Sequence, residues 1–355
     1  MRVLNHLEFE GRLRRSGIKT ATRHQRSALQ EMGVEVVTTP FRGSSLPSAG
    51  LRSLLGQRAM REVDVVHCNL VGPTTMAVTT WAKQNDVPVV LHAHVTREDF
   101  AGSFRGSTAV GPALERYLRW AYARGDLLLC PSEYTKDVLE SYPVETPIRS
   151  VTNGVDRRRL AGFESLRTTY RDRFDLEGPV VFAVGNVFER KGVSTFCRLA
   201  EDIDAEFVWF GPYDTGPHAS RTVRRWVKNP PENVTFTGWI DDIRGAYAAG
   251  DIYLLPTTTE NQGISVLEAM ACGKPVVLGD IPPFREYYRD GADCLLCSNH
   301  EEFRDAISRL IADGECRADL GRNARETAKS HGLDRVGEEL LDAYETVMAD
   351  GPTTD

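Results

Sequence analysis

The sequence predicts an α/β protein of two doubly wound domains, each a parallel sheet covered by helices on both faces. Short β-branched runs alternate with helix-period stretches from end to end, an order that implies right-handed crossovers between parallel strands. The runs are too many for one compact sheet. A turn signal, Asn153-Gly154, follows the run "IRSV" and divides them into two sets. In the first set the strands are "RVLNHL", "VEVVTT", "VDVVHC", "VPVVLHAH" and "DLLLC", with helices expected around 19–32, 73–85, 112–124 and 132–141. In the second they are "PVVFAVG", "EFVWFG", "NVTFTG", "DIYLLP" and "PVVLGD", with helices around 192–202, 241–249, 264–272 and 301–313. The segment "LDRVGEELLDAYETVMAD" reads as a last amphipathic helix. The boundaries that follow are 1–152, 153–332 and 333–355.

Composition supports a globular chain: 355 residues, 41% hydrophobic and 26% charged. "MRVLNHLEFEG" starts a strand at once, with no charged-then-apolar leader, and no run approaches the roughly 18 apolar residues of a membrane span. A cytoplasmic location is expected. The seven cysteines are scattered, and the single C-x-x-C, "CLLC", has no second pair to complete a zinc site. Residues 1–150 carry 19 Lys+Arg against 15 Asp+Glu, the remainder 24 against 35. A basic first half suits an anionic partner, although a solvated surface explains the same imbalance. The acidic second half and the lack of an aromatic–basic platform speak against nucleic acid.

In open α/β sheets ligands bind beyond the carboxyl ends of the strands, so residues just after each strand carry the functional reading. After "PVVFAVG" come Arg190 and Lys191, and Gly192 opens a helix. Cations beside free helix-start N–H groups suit a phosphate, whereas a solvated basic loop is the plain alternative. After "DIYLLP" comes "TTTENQGISVLEAMACGKPVV", with Glu260 in the loop and Glu268 more than a turn into the helix. The N–H groups of Gly263, Ile264, Ser265 and Val266 are expected to lack intrahelical partners and to be open to sugar hydroxyls or phosphate oxygens. The deeper carboxylate suits two vicinal hydroxyls, as in a ribose. A helix-dipole pair explains Glu260 but not Glu268, which sits among apolar residues.

"ENQGISVLEAMACGKPVV" resembles the signature of the retaining glycosyltransferases of family four, which have the two-Rossmann GT-B fold. "VGNVFERKG" resembles that family's diphosphate loop, "NGVD" the start of its second domain and "NVTFTGWI" its base-side strand. The resemblance implies that residues 1–152 bind the acceptor, that 153–332 bind a nucleotide sugar, and that the final helix packs back toward the first domain. It implies that Arg190 and Lys191 bind the donor diphosphate and Glu268 the ribose. Glu260 with the amides of Gly263, Ile264 and Ser265 would hold the sugar. His94, at the end of "VPVVLHAH", would lie under the transferring sugar. Gly17 would admit donor phosphate or acceptor, and Asn153 falls among the substrate-binding residues. Asn261 and Gln262 replace the usual Gly and aromatic residue, which bears on which sugar is seated.

"SGIKTATRHQ", "HAHVTREDF", "FERKGV" and "WFGP" further resemble the branch of 1,2-diacylglycerol 3-glucosyltransferases. Two segments offer lipid contacts: Leu51, Leu54 and Leu55 beside Arg52, Arg58 and Arg61, and Leu114, Tyr117, Leu118 and Trp120 among arginines. For each, an ordinary helix packed on the sheet is an equal reading. The expected activity is retaining, metal-independent hexosyl transfer from a UDP-sugar, or a GDP-sugar, to an acceptor hydroxyl, with no cofactor. The acceptor is a membrane glycerolipid reached at the inner face of the cell membrane, or a glycan or polyprenyl-linked sugar. An epimerase or hydrolase on the same scaffold, and a non-catalytic nucleotide-sugar-binding subunit, are the other readings.

Overall fold

The computed structural model describes residues 1–13, 16–39 and 62–351. Leu51, Leu54, Leu55, Arg52, Arg58 and Arg61 lie outside the described residues. By its packing the chain forms two units. The first holds residues 1–97, 111–154 and the chain from 333 on; the second holds 98–110 and 155–332. The last helix goes with the first unit, as expected, whereas 98–110 goes with the second unit and 153–154 with the first, which departs from the sequence boundaries.

The first unit is a parallel six-stranded sheet of β1 (Arg2–Leu7), β2 (Glu35–Thr38), β3 (Val65–Asn69), β4 (Val89–His92), β5 (Leu127–Cys130) and β6 (Ile148–Ser150), in the order β2-β1-β3-β4-β5-β6. β3, β4 and β5 are buried along their whole length, which is why they read as continuous apolar runs rather than alternating ones. The helix Gly17–Glu31 starts where the Ser16 hydroxyl accepts from the Lys19 N–H at 3.3 Å. The last helix, Leu333–Asp350, buries Val336, Leu340, Ala343 and Tyr344 with Ala28 and Leu29 of that helix. Its Gly337 lies so close that an added Cβ would stand 2.9 Å from the Met32 side chain and 3.2 Å from the Ala28 carbonyl oxygen.

The second unit repeats the plan with β7 (Val180–Val184), β8 (Glu206–Phe210), β9 (Val234–Gly238), β10 (Ile252–Leu255), β11 (Val276–Gly279) and β12 (Leu295–Cys297), in the order β12-β11-β10-β7-β8-β9. The chain runs outward from β7 to β9, then crosses to the other side of β7 to lay down β10. The switch point between β7 and β10 is where such sheets hold ligands. Every strand expected from the sequence is present. The sequence reading missed β12, because "LLC" is too short to signal a strand, and several helices, among them Arg167–Phe174, Arg221–Lys228, Pro282–Tyr287 and Gly314–Lys329. In the last of these Gly321 serves a close approach: a Cβ there would stand 2.3 Å from the Gly273 carbonyl oxygen. The cysteines are all free, and every one except Cys316 is buried. Burial pushes the thiols of Cys197, Cys272 and Cys297 up to about 12.

Candidate active site

In the second unit the loops after β7 and β10 are tied together at the switch point. The Arg190 carbonyl accepts from the Thr258 N–H at 2.9 Å and the Thr257 hydroxyl at 3.1 Å. Gly192 makes this possible: its φ is +79°, and a Cβ would stand 2.1 Å from the Pro256 carbonyl oxygen, so no side chain fits. The tie brings Arg190, Lys191 and Glu260 into one cluster. Lys191 Nζ lies 2.8 Å from Glu260 Oε1, and Arg190 Nη1 lies 3.6 Å from the same atom. Arg190 Nη1 also donates to the Thr259 carbonyl at 2.9 Å. Burial pushes the Glu260 carboxyl up, but Lys191 and Arg190 together prevail and hold it below the ordinary range. It is therefore a fixed anion at neutral pH.

Arg190 has two further partners that the sequence reading did not find. Its Nη2 lies 3.1 Å from Asp99 Oδ1, and its Nε donates to the Ser103 hydroxyl at 3.2 Å. Neither has a signal in spacing, because they stand far back in the chain, on the segment that packs with the second unit. Burial raises the Asp99 pKa against the opposing pull of Arg190.

Glu268 stands apart from that cluster, inside the helix Ile264–Ala271. The Tyr247 hydroxyl donates to its Oε2 at 2.6 Å, and Ser265 Oγ pairs with the Tyr253 hydroxyl at 2.8 Å. Burial raises both phenols well above their usual pKa, so Tyr247 stays a donor to Glu268. Tyr247 and Tyr253 were also missed, since a tyrosine on an apolar face reads as core. Gly263, with φ +84°, ends the loop before Ile264. One expectation is corrected here: the Val266 N–H is not open, because it donates to the Gly263 carbonyl at 3.0 Å in a tight first turn.

Gly17, His94 and Asn153 belong to the first unit. Gly17 is the exposed first residue of its helix, and a Cβ there would meet nothing within 4 Å. The Asn153 carbonyl pairs with His24 Nδ1 at 3.0 Å. His94 Nε2 lies 2.7 Å from Asn69 Oδ1, and its ring stacks on His92 at 4.2 Å between centroids. His92 in turn stacks on His67 at 5.5 Å. Gln25 donates to His92 Nδ1 at 3.1 Å, and the Tyr344 hydroxyl pairs with His67 Nδ1 at 2.6 Å. Burial drives His67 and His94 down to about 3 and holds His92 well below its usual value, so the stack is neutral at pH 7.

On the helix Gly111–Tyr122 the expected lipid face needs one correction. Leu118 is buried with Ala121 and Tyr122 against the sheet, and Leu114 packs half-buried against the same core, on the face away from Tyr117 and Trp120. Tyr117 and Trp120 are exposed and stacked at 5.8 Å, with the Arg124 guanidinium 3.8 Å above the Trp120 ring. Among the described residues no helix is long and apolar enough to cross a membrane, and no group of three His, Cys, Asp or Glu could hold a metal ion.

Comparison with known proteins agrees with this layout. Residues 13–159 match the family described as Glycosyltransferase Family 4, and residues 178–313 the family described as Glycosyl transferases group 1. The chain is 29% identical over 354 residues to the processive diacylglycerol alpha-glucosyltransferase of Acholeplasma laidlawii, covering 98% of this chain and 99% of that protein. It is 24% identical over 300 residues to the alpha-galactosylglucosyldiacylglycerol synthase of Streptococcus pneumoniae, covering 82% and 79%. Among solved structures, Anabaena HepE in complex with UDP and glucose superposes with a TM-score of 0.76 at 18% identity, covering 98% of this chain and 100% of that one. Sucrose-phosphate synthase from Thermosynechococcus elongatus gives 0.75 at 18% identity, covering 99% and 100%. With both halves matched to glycosyltransferase families and two parallel six-stranded sheets of the GT-B kind, the chain belongs to the family-four glycosyltransferases.

Proposed function

We propose that the chain transfers a hexose from a UDP-sugar to a hydroxyl of a membrane glycerolipid, with retention of anomeric configuration and without a metal ion. The observation that carries this reading is the Arg190–Lys191–Glu260 cluster at the β7/β10 switch point, beside the helix that opens at Ile264. The two cations and the helix-start amides of Gly263, Ile264 and Ser265 receive the diphosphate and stabilise it as it leaves. Glu268 takes the ribose hydroxyls, and Glu260 the sugar. Glu260 is a poor nucleophile, since its carboxylate is bound to Lys191 and its pKa is lowered. The acceptor hydroxyl therefore attacks the anomeric carbon from the side the diphosphate leaves. The bond from that carbon to the phosphate oxygen breaks, and the hydroxyl proton passes to the diphosphate. His94, neutral at working pH, positions the sugar rather than carrying charge. Gly17 and Asn153 complete the substrate-binding set.

The lipid acceptor is supported by the relatives, which are named for diacylglycerol glycolipids. The exposed Tyr117–Trp120 pair with its arginine suits a membrane surface carrying anionic headgroups, reached from the cytoplasmic side.

The test is a thermal-shift panel of UDP-, GDP- and ADP-glucose with product analysis on diacylglycerol vesicles, since a ligand of the folded state raises its stability. UDP-glucose is expected to raise Tm most and to yield an α-linked glycolipid. No shift with any nucleotide sugar and no product would overturn the reading. The ribose role predicts a second result. Tyr247→Phe removes the donor that fixes Glu268 and should raise the donor KM roughly five- to tenfold with kcat little changed, about the worth of one ordinary hydrogen bond. An unchanged KM in steady-state kinetics would count against that role.

A further inference from the structure

Each nitrogen of the Arg190 guanidinium has a partner within the second unit: Nε donates to Ser103 Oγ at 3.2 Å, Nη1 to the Thr259 carbonyl at 2.9 Å, and Nη2 lies 3.1 Å from Asp99 Oδ1. Lys191 is engaged with Glu260 at 2.8 Å. Each cation of the anion site thus already faces a carboxylate. The Asp99 side chain is only 16% exposed and Arg190 only 11%, so the pair is poorly screened by water. The diphosphate of a nucleotide sugar brings two more negative charges, and that of a free nucleoside diphosphate at least two. With Asp99 and Glu260 both in place, two cations would face four anionic charges at close range in a low dielectric. Such crowding is relieved when one carboxylate takes up a proton or gives up its cation, and for Asp99 either event loses its ion pair with Arg190.

Glu260 sits in the loop tied to β10 and remains beside Lys191. Asp99 sits on the segment 98–110, whose chain neighbours on both sides belong to the first unit. That segment rests on Arg190: Gly102 adopts φ +71°, and a Cβ there would stand 3.5 Å from Arg190 Cβ. It is further held by the Arg105 N–H donating to the His218 carbonyl at 2.9 Å.

We infer that Asp99 is a built-in competitor of the donor: its carboxylate takes on Arg190 the place of a diphosphate oxygen, and donor binding displaces it together with the 98–110 segment. The inference rests on the reading of Arg190 and Lys191 as the diphosphate site. The segment then keeps the empty site closed to stray anions and is released only when a diphosphate arrives. The apparent affinity for the donor is lowered by the fraction of molecules in the Asp99-paired state. Asparagine at 99 still accepts a hydrogen bond from Arg190 but brings no charge.

The experiment is calorimetric titration of the full chain with UDP, and with uridine as the ligand lacking phosphates, in wild type, Asp99→Asn and Arg190→Ala. Asp99→Asn is expected to bind UDP on the order of tenfold more tightly while its weak uridine affinity stays put, as for a tenfold excess of the paired state. Equal or weaker UDP binding by Asp99→Asn, with binding lost in Arg190→Ala, would show that Asp99 orients Arg190 and does not compete. Failure of wild type and Asp99→Asn alike to bind UDP, GDP or ADP would overturn the diphosphate reading itself, and this inference with it. Hydrogen exchange of the wild type reads the same event without a variant. Saturating UDP should speed exchange in 98–110; unchanged or slowed exchange there would refute the displacement.

Discussion

Replacing Arg190 by alanine should lower kcat/KM for sugar transfer roughly a hundred- to a thousandfold, the range seen when one preorganised donor to a developing anion is removed. The loss has two parts. The diphosphate loses a guanidinium fork that holds it and disperses its charge on departure. Asp99 and Glu260, now sharing one cation, also turn a balanced pocket into a net negative one. Arg190→Lys should recover the second part more than the first, because an ammonium restores charge without the fork. Steady-state kinetics with donor and acceptor varied separately, alongside a melting curve that establishes folding, decide the matter. Activity within a few-fold of wild type in a folded Arg190→Ala protein would remove the diphosphate assignment.

A comparably large effect is expected on stability in acid. His67, His92 and His94 are stacked and buried in the first unit, and burial places their folded pKa values far below the 6.5 of an exposed histidine. Between about pH 6.5 and pH 3 the unfolded chain therefore binds protons that the folded chain refuses. Stability is full above that window and falls as pH drops through it. Each such histidine contributes a slope of about 1.4 kcal/mol per pH unit, so the three together approach ~4 kcal/mol per unit near pH 5. Urea melts at pH 7, 6 and 5 should show the midpoint falling steeply below pH 6. His92→Gln, which takes one titrating ring from the stack, should make the fall shallower by about a third. A midpoint that holds between pH 7 and pH 5 would mean the stack accepts protons while folded.

The sheets were readable because parallel strands buried on both faces leave unbroken apolar runs such as "LLLC" and "VVFAV". The donor-side residues were readable because Arg190, Lys191, Glu260 and Glu268 lie just past the ends of two strands that the topology sets side by side. What escaped did so for particular reasons. Asp99 looks like half of an exposed acidic pair in "TRED", and only the fold carries it to Arg190. Tyr247 lies in an apolar helix, and its hydroxyl matters only because Glu268 is across from it. Gly321 reads as a helix breaker until the carbonyl of Gly273 shows what the missing side chain makes room for. The stacked histidines come from β3 and from around the end of β4, so their mutual contact is a property of strand order and not of spacing along the chain.

The uneven burial of the thiols has a practical consequence. A maleimide needs an accessible thiolate, and in the native protein only Cys316 offers any access. One reporter dye can thus be placed at the head of the helix Gly314–Lys329 without removing a single cysteine. The number of adducts counted by mass, rising from one toward seven, would then measure directly how much of the population has come undone.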